Sequence, residues 1–135
     1  MNPKQFLIIG GAVLILVGVL GMVGVIGPTA SNSIFGAAWW FDTYENWAHL
    51  LLGIVGVIAA FIFPASLQKP LVLLLGVAGL FFAIYSGFVD MNFLGANLEN
   101  PADTVLHLVV GAWALWAGMQ KQGMMNMNQP SKMPM

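Results

Sequence analysis

The sequence predicts an all-α integral membrane protein, a bundle of four transmembrane helices built from two duplicated hairpins related by a pseudo-two-fold parallel to the membrane normal. Three observations carry this expectation. Of 135 residues, 59% are apolar and only 7% charged, against roughly 25% charged in an ordinary soluble domain. Four long apolar stretches are separated by Gly, Pro and acidic punctuation. The second and fourth stretches also repeat a His-Leu-x-x-Gly motif behind similar acidic openings.

The elements follow in order. The first span is expected over residues 6–26, closed by Gly27-Pro28; it exceeds the roughly 7 to 15 residues of a signal-peptide core, so it reads as a retained span. The second, over 43–63, opens with Asp42-Thr43-Tyr44-Glu45, the pattern of a capping box, and ends at Phe63-Pro64. The third, over 70–89, follows Lys69-Pro70, which puts a proline in a first helical turn. The fourth, over 101–119, opens with Asn100-Pro101-Ala102-Asp103, read as an N-cap, a proline at the first helical position and an acid at the third. At about 1.5 Å per residue, stretches near 20 residues match a hydrocarbon core of about 30 Å. Residues 120–135, rich in Met, Asn and Gln and without period, are expected to form a disordered tail.

Charge sorts by loop. Lys4, Lys69, Lys121 and Lys132 fall on the termini and between the second and third spans, whereas Asp42, Glu45, Asp90, Glu99 and Asp103 surround the other two connections. The positive-inside rule therefore places both termini in the cytoplasm. Trp39, Trp40, Phe41, Tyr44 and Trp47 crowd the acidic end of the first hairpin, as an interfacial belt or as packing beneath the loop. A net charge of −1 without arginine excludes a nucleic-acid face. The absence of cysteine removes thiol chemistry and Cys-based metal sites. No nucleophile stands near a base and no Gly-rich loop joins a strand to a helix, so the chain reads as a non-enzymatic structural or partner-binding component, packed in lipid against itself or a larger complex.

The repeat aligns Glu45 with Asp103, His49 with His107, Gly53 with Gly111 and Ala59 with Ala117; Gly10 and Gly21 align with Gly76 and Gly87. At 100° per residue, His49, Gly53, Gly56 and Ala60 share one stripe, as do His107, Gly111, Ala114 and Gly118. Membrane helices meet where small residues let backbones approach, so these stripes are the expected seams of the bundle. Ile54, Ile58, Phe61, Trp113 and Trp116 are expected to point away from them.

Through Glu45-Asn46-Trp47-Ala48-His49-Leu50-Leu51-Leu52-Gly53, and through Asn100-Pro101-Ala102-Asp103 followed by His107-Leu108-Val109-Val110-Gly111, the chain resembles the bacterial membrane family labelled domain of unknown function 4383. The resemblance covers residues 6–119. It implies a four-helix fold in a bacterial inner membrane and carries no activity with it.

Ionisable groups near hydrocarbon are costly and usually functional or paired. Here they are Glu45 with His49, Asp103 with His107, and Asp90 at the end of the third span. Three readings compete. The acids cap their helices while the imidazoles tie neighbouring segments. Alternatively His49 and His107 ligate a haem, a chlorophyll-type pigment or a metal completed by Glu45, Asp90 and Asp103. Or the group lines a proton or small-solute pathway, against which the first and third spans offer no internal charge. On all three readings the histidines face the interior at one depth.

Overall fold

A computed structural model describes residues 1–120; beyond Gln120, the tail expected over 120–135 lies outside the described residues. Among the described residues the fold is all-α, with four helices: α1 Pro3–Met22, α2 Thr43–Ile62, α3 Ala65–Phe88 and α4 Ala102–Gly118. Three of them, α1 to α3, are long and apolar enough to cross a membrane, and α4 is a shorter apolar helix of 17 residues. Their outer faces carry Leu16, Val55, Phe61, Leu74 and Ile84 in the open, as helices solvated by lipid do.

The helix ends show what the chain chooses. Asn2 accepts from the Gln5 N–H at 2.8 Å and Gln5 returns its Oε1 to the Asn2 N–H at 3.0 Å, with Pro3 in the first turn. This capping box starts α1 before residue 6. The helix stops at Met22, ahead of the expected Ile26, because Gly24 takes a φ of +89° and turns the chain over. Residues 23–42 then form a folded loop with two short 3-10 turns at Ala30–Asn32 and Gly36–Ala38.

The connection from α2 to α3 is tighter than expected. α3 begins at Ala65, behind Pro64, so Pro70 lies inside the helix rather than in its first turn. Gln68 makes the abrupt turn workable: its Nε2 donates to the carbonyls of Ala60 and Phe63, both at 3.0 Å, satisfying the C-terminal end of α2. Between α3 and α4 the sequence conceals a two-stranded ladder, β1 Asn92–Phe93 against β2 Ala96–Asn97. Leu94 and Gly95 turn it with φ of 52° and 94°, the left-handed pair that a two-residue hairpin turn needs.

The helices pack as two hairpins, α1 with α2 and α3 with α4, while α1 makes sparser contacts with both α3 and α4. The small-residue stripes are the seams within each hairpin. A Cβ on Gly53 would stand 2.6 Å from the carbonyl oxygen of Gly11, and one on Gly111 would stand 3.0 Å from that of Gly76. The stripes of α2 and α4 are therefore spent on α1 and α3, not on each other. A buried cluster of Phe6, Leu7, Ala59, Ala60, Val72, Ala114 and Ala117 joins the hairpins near the ends that carry Lys4 and Lys69. Trp113, expected to point outward, instead packs on this cluster and meets Phe6 edge-on at 4.6 Å. Ile54, Ile58, Phe61 and Trp116 are exposed.

Candidate functional site

The candidate site lies at the opposite, acidic end, where the two loops interlock. Asp42 accepts from the Glu45 N–H at 2.9 Å and Glu45 Oε2 accepts from the Asp42 N–H at 3.0 Å, so the capping box of α2 forms. α4 opens differently from the expected Asn100 cap. The Asn100–Pro101 peptide is cis and no side chain caps from Asn100. Asp103 instead reaches back, its Oδ2 accepting from the Glu99 N–H at 3.0 Å, while Glu99 offers its carbonyl to the Asp103 N–H at 2.7 Å. Glu45 and Asp103 thus do equivalent work, each satisfying a backbone N–H ahead of its helix, one residue out of register.

Bonds between the loops cross from hairpin to hairpin. Trp39 Nε1 donates to Asp103 Oδ1 at 2.8 Å, and the Asn97 N–H donates to Asp42 Oδ2. Trp39 and Phe41 are thereby packing residues, with Phe41 buried, whereas Tyr44 and Trp47 are exposed.

The result is a carboxylate group that the sequence only partly anticipates. Single oxygens of Glu45, Glu99 and Asp103 all lie within 4.8 Å of one another, and all three residues are buried. Asp90 does not join them. It is exposed, and its Oδ1 accepts from the Asn92 N–H at 3.1 Å. Glu99 is the residue sequence reasoning missed. Its signal was its i to i+4 spacing to Asp103, masked once Asn100-Pro101 is taken as the helix start. Burial, and then the neighbouring Asp103 carboxyl, push the Glu99 carboxyl up to about 8.

The histidines sit one turn further in. His107 Nδ1 lies 2.9 Å from the Asp103 carbonyl; a carbonyl only accepts, so Nδ1 carries the proton and Nε2 is left as an acceptor. His49 Nδ1 is buried without a partner. Phe41 stands edge-on to His49 at 5.4 Å, and Phe82 lies tilted against His107 at 5.5 Å. Both imidazoles, together with Glu45, line one cavity of about 350 Å³ between the hairpins. The remaining walls are mainly apolar and come from all four helices, among them Leu14, Leu52, Leu75 and Val110. The chain matches no family model, no curated protein and no solved structure.

Proposed function

We propose that the chain is a small non-enzymatic component of a bacterial inner membrane that holds an apolar or amphiphilic molecule between its two hairpins, with the polar end of that molecule at His49, His107 and Glu45. The cavity carries this reading. A space of about 350 Å³ with apolar walls and a few polar groups at one end has the size and chemistry of a small-molecule site, and an apolar void gains nothing by filling with water. The bare acceptor on His107 and the unpaired nitrogen on His49 suit a hydrogen-bond donor or a metal-centred flat ring, so haem, pigment and colourless lipophile are variants of one proposal. Four spans belong to the same reading. α4 is about 26 Å long at 1.5 Å per residue and lies beside α3, so it returns across whatever α3 crosses. Lysines at one end and acids at the other support termini inside, and two hairpins of like direction would relate by an axis along the membrane normal.

The test is purification from the native source in mild detergent, followed by an absorption spectrum, metal analysis and mass spectrometry of the organic extract. A stoichiometric molecule should be retained by the parent and lost from the cavity-filling variant Ala78→Trp. A ring bound through its metal should also be lost from His49→Ala and His107→Ala. An empty protein whose Ala78→Trp variant is more stable would leave the space as a packing defect and end the proposal.

A further inference from the structure

The carboxylate group carries a separate inference, which shares only Glu45 with the cavity. We propose that Glu45, Glu99 and Asp103 form a hard divalent-cation site, suited to calcium, that clasps the first hairpin to the second at their acidic end. The donors are three carboxylates within 4.8 Å of one another, with no sulfur or ring nitrogen among them. An all-oxygen set selects hard cations over zinc or copper. Calcium binds oxygens at about 2.3 to 2.6 Å in flexible geometry, so ligands on one ion stand up to about 5 Å apart, which accommodates the group as it is. Magnesium, at about 2.0 to 2.1 Å, accommodates only a tighter arrangement.

Unpaired oxygens point to a ligand. Glu45 and Glu99 are 4% and 7% exposed, yet Glu45 Oε1 and Glu99 Oε2 have no hydrogen-bond partner among the described residues. The remaining oxygens of the group are already engaged. Glu45 Oε2 accepts from the Asp42 N–H, Glu99 Oε1 accepts from Asn97 Nδ2 at 2.8 Å, and both Asp103 oxygens hold donors while keeping a second lone pair. No lysine among the described residues stands beside the group. The described lysines, Lys4 and Lys69, lie near the starts of α1 and α3, at the far end of the hairpins. Buried carboxylates without a cation hold protons instead, and an ion among them replaces those protons and neutralises the charge directly. Because Glu45 belongs to one hairpin and Glu99 and Asp103 to the other, the ion would couple two units that otherwise touch sparsely.

The experiment uses the full chain in detergent, stripped with a chelator and returned to chelator-free buffer. Calcium chloride is then titrated while binding is read by equilibrium dialysis and unfolding by thermal scan; magnesium chloride is run alongside. One calcium per chain and a Tm raised by several degrees are expected. Glu99→Gln and Asp103→Asn, which keep shape, should lose roughly tenfold or more in affinity, as carboxylate count sets calcium affinity. Asp90→Asn should bind like the parent. If the parent takes up neither cation saturably at millimolar concentration, the site does not exist, whatever the variants do. Saturable binding that survives both substitutions would equally overturn it by placing the ion elsewhere. Loss of the organic ligand from the cavity with calcium binding intact would leave this inference standing and remove the other.

Discussion

Gly53 and Gly56 lie one turn apart on the same buried stripe of α2, but only one of them is obligatory. A Cβ on Gly53 would press into the Gly11 carbonyl at 2.6 Å and the Ile15 N–H at 2.8 Å, both backbone atoms that move only with their helix. On Gly56 the nearest atom would be 3.7 Å away, an ordinary contact. Gly53→Ala should therefore cost about 1 to 3 kcal/mol of stability through overpacking. Gly56→Ala should be neutral or gain up to about 1 kcal/mol from helix propensity. Parallel melts of the two variants check this, and equal losses would refute the tight-seam geometry. Glu99 gives a second residue-scale expectation. Burial, and then Asp103 beside it, push its carboxyl from 4.5 up to about 8, so the folded state holds this proton more tightly than the unfolded chain. The stability it contributes is complete below about 4.5 and is lost as pH rises through about 8. In chelator, Tm should fall across that window, and Glu99→Gln should flatten the profile. The Asp42–Glu45 box was legible because local spacing fixes a cap. The convergence on Glu99 was not, because it depends on a loop path that no local pattern encodes.

At the scale of elements, apolar runs were enough to find each helix, and the ends were where side chains overruled them. Pro70 looked like a helix start because a proline is tolerated there. What starts α3 earlier is Gln68, whose amide satisfies carbonyls of α2 that the short turn would otherwise leave bare. Gln68→Leu should lose about 1 to 3 kcal/mol, the cost of buried carbonyls left unpaired, whereas Gln68→Glu exchanges a donor for an acceptor and should be worse. Denaturant melts of the pair test the role, and a Leu variant as stable as the parent would discard it. The ladder at β1 and β2 escaped notice because two-residue strands have no period to read. It nonetheless brings Phe93 against Phe82 at 5.1 Å and carries Asn97 to Asp42.

For the whole molecule, the small-residue stripes identified the seams but not their partners. A stripe on α2 can meet any helix that offers a matching small-residue stripe, and it meets that of α1 across the loop of residues 23–42, although residues 63–64 alone join α2 to α3. The two histidines reach one cavity all the same, because each hairpin, once closed, turns the edge of its stripe toward the other. The hairpins then meet chiefly at two places, the interlocked acidic loops and the cluster around Phe6 and Trp113. Trp113→Ala should remove much of the second contact and cost about 2 to 4 kcal/mol, scaled down slightly from a fully buried tryptophan, with the helical content of the remaining protein unchanged by circular dichroism.

Tight seams within hairpins and sparse contact between them also set how the chain yields to force. Pulled from one terminus out of a bilayer, α1 cannot slide past α2 without opening the Gly11–Gly53 contact, so the pair should leave together. Extraction should give two rupture events separated by a plateau whose length corresponds to one hairpin, and the cation inferred at the acidic end should raise the first of them alone. Four evenly spaced ruptures would mean that the seams are weaker than their backbone distances imply.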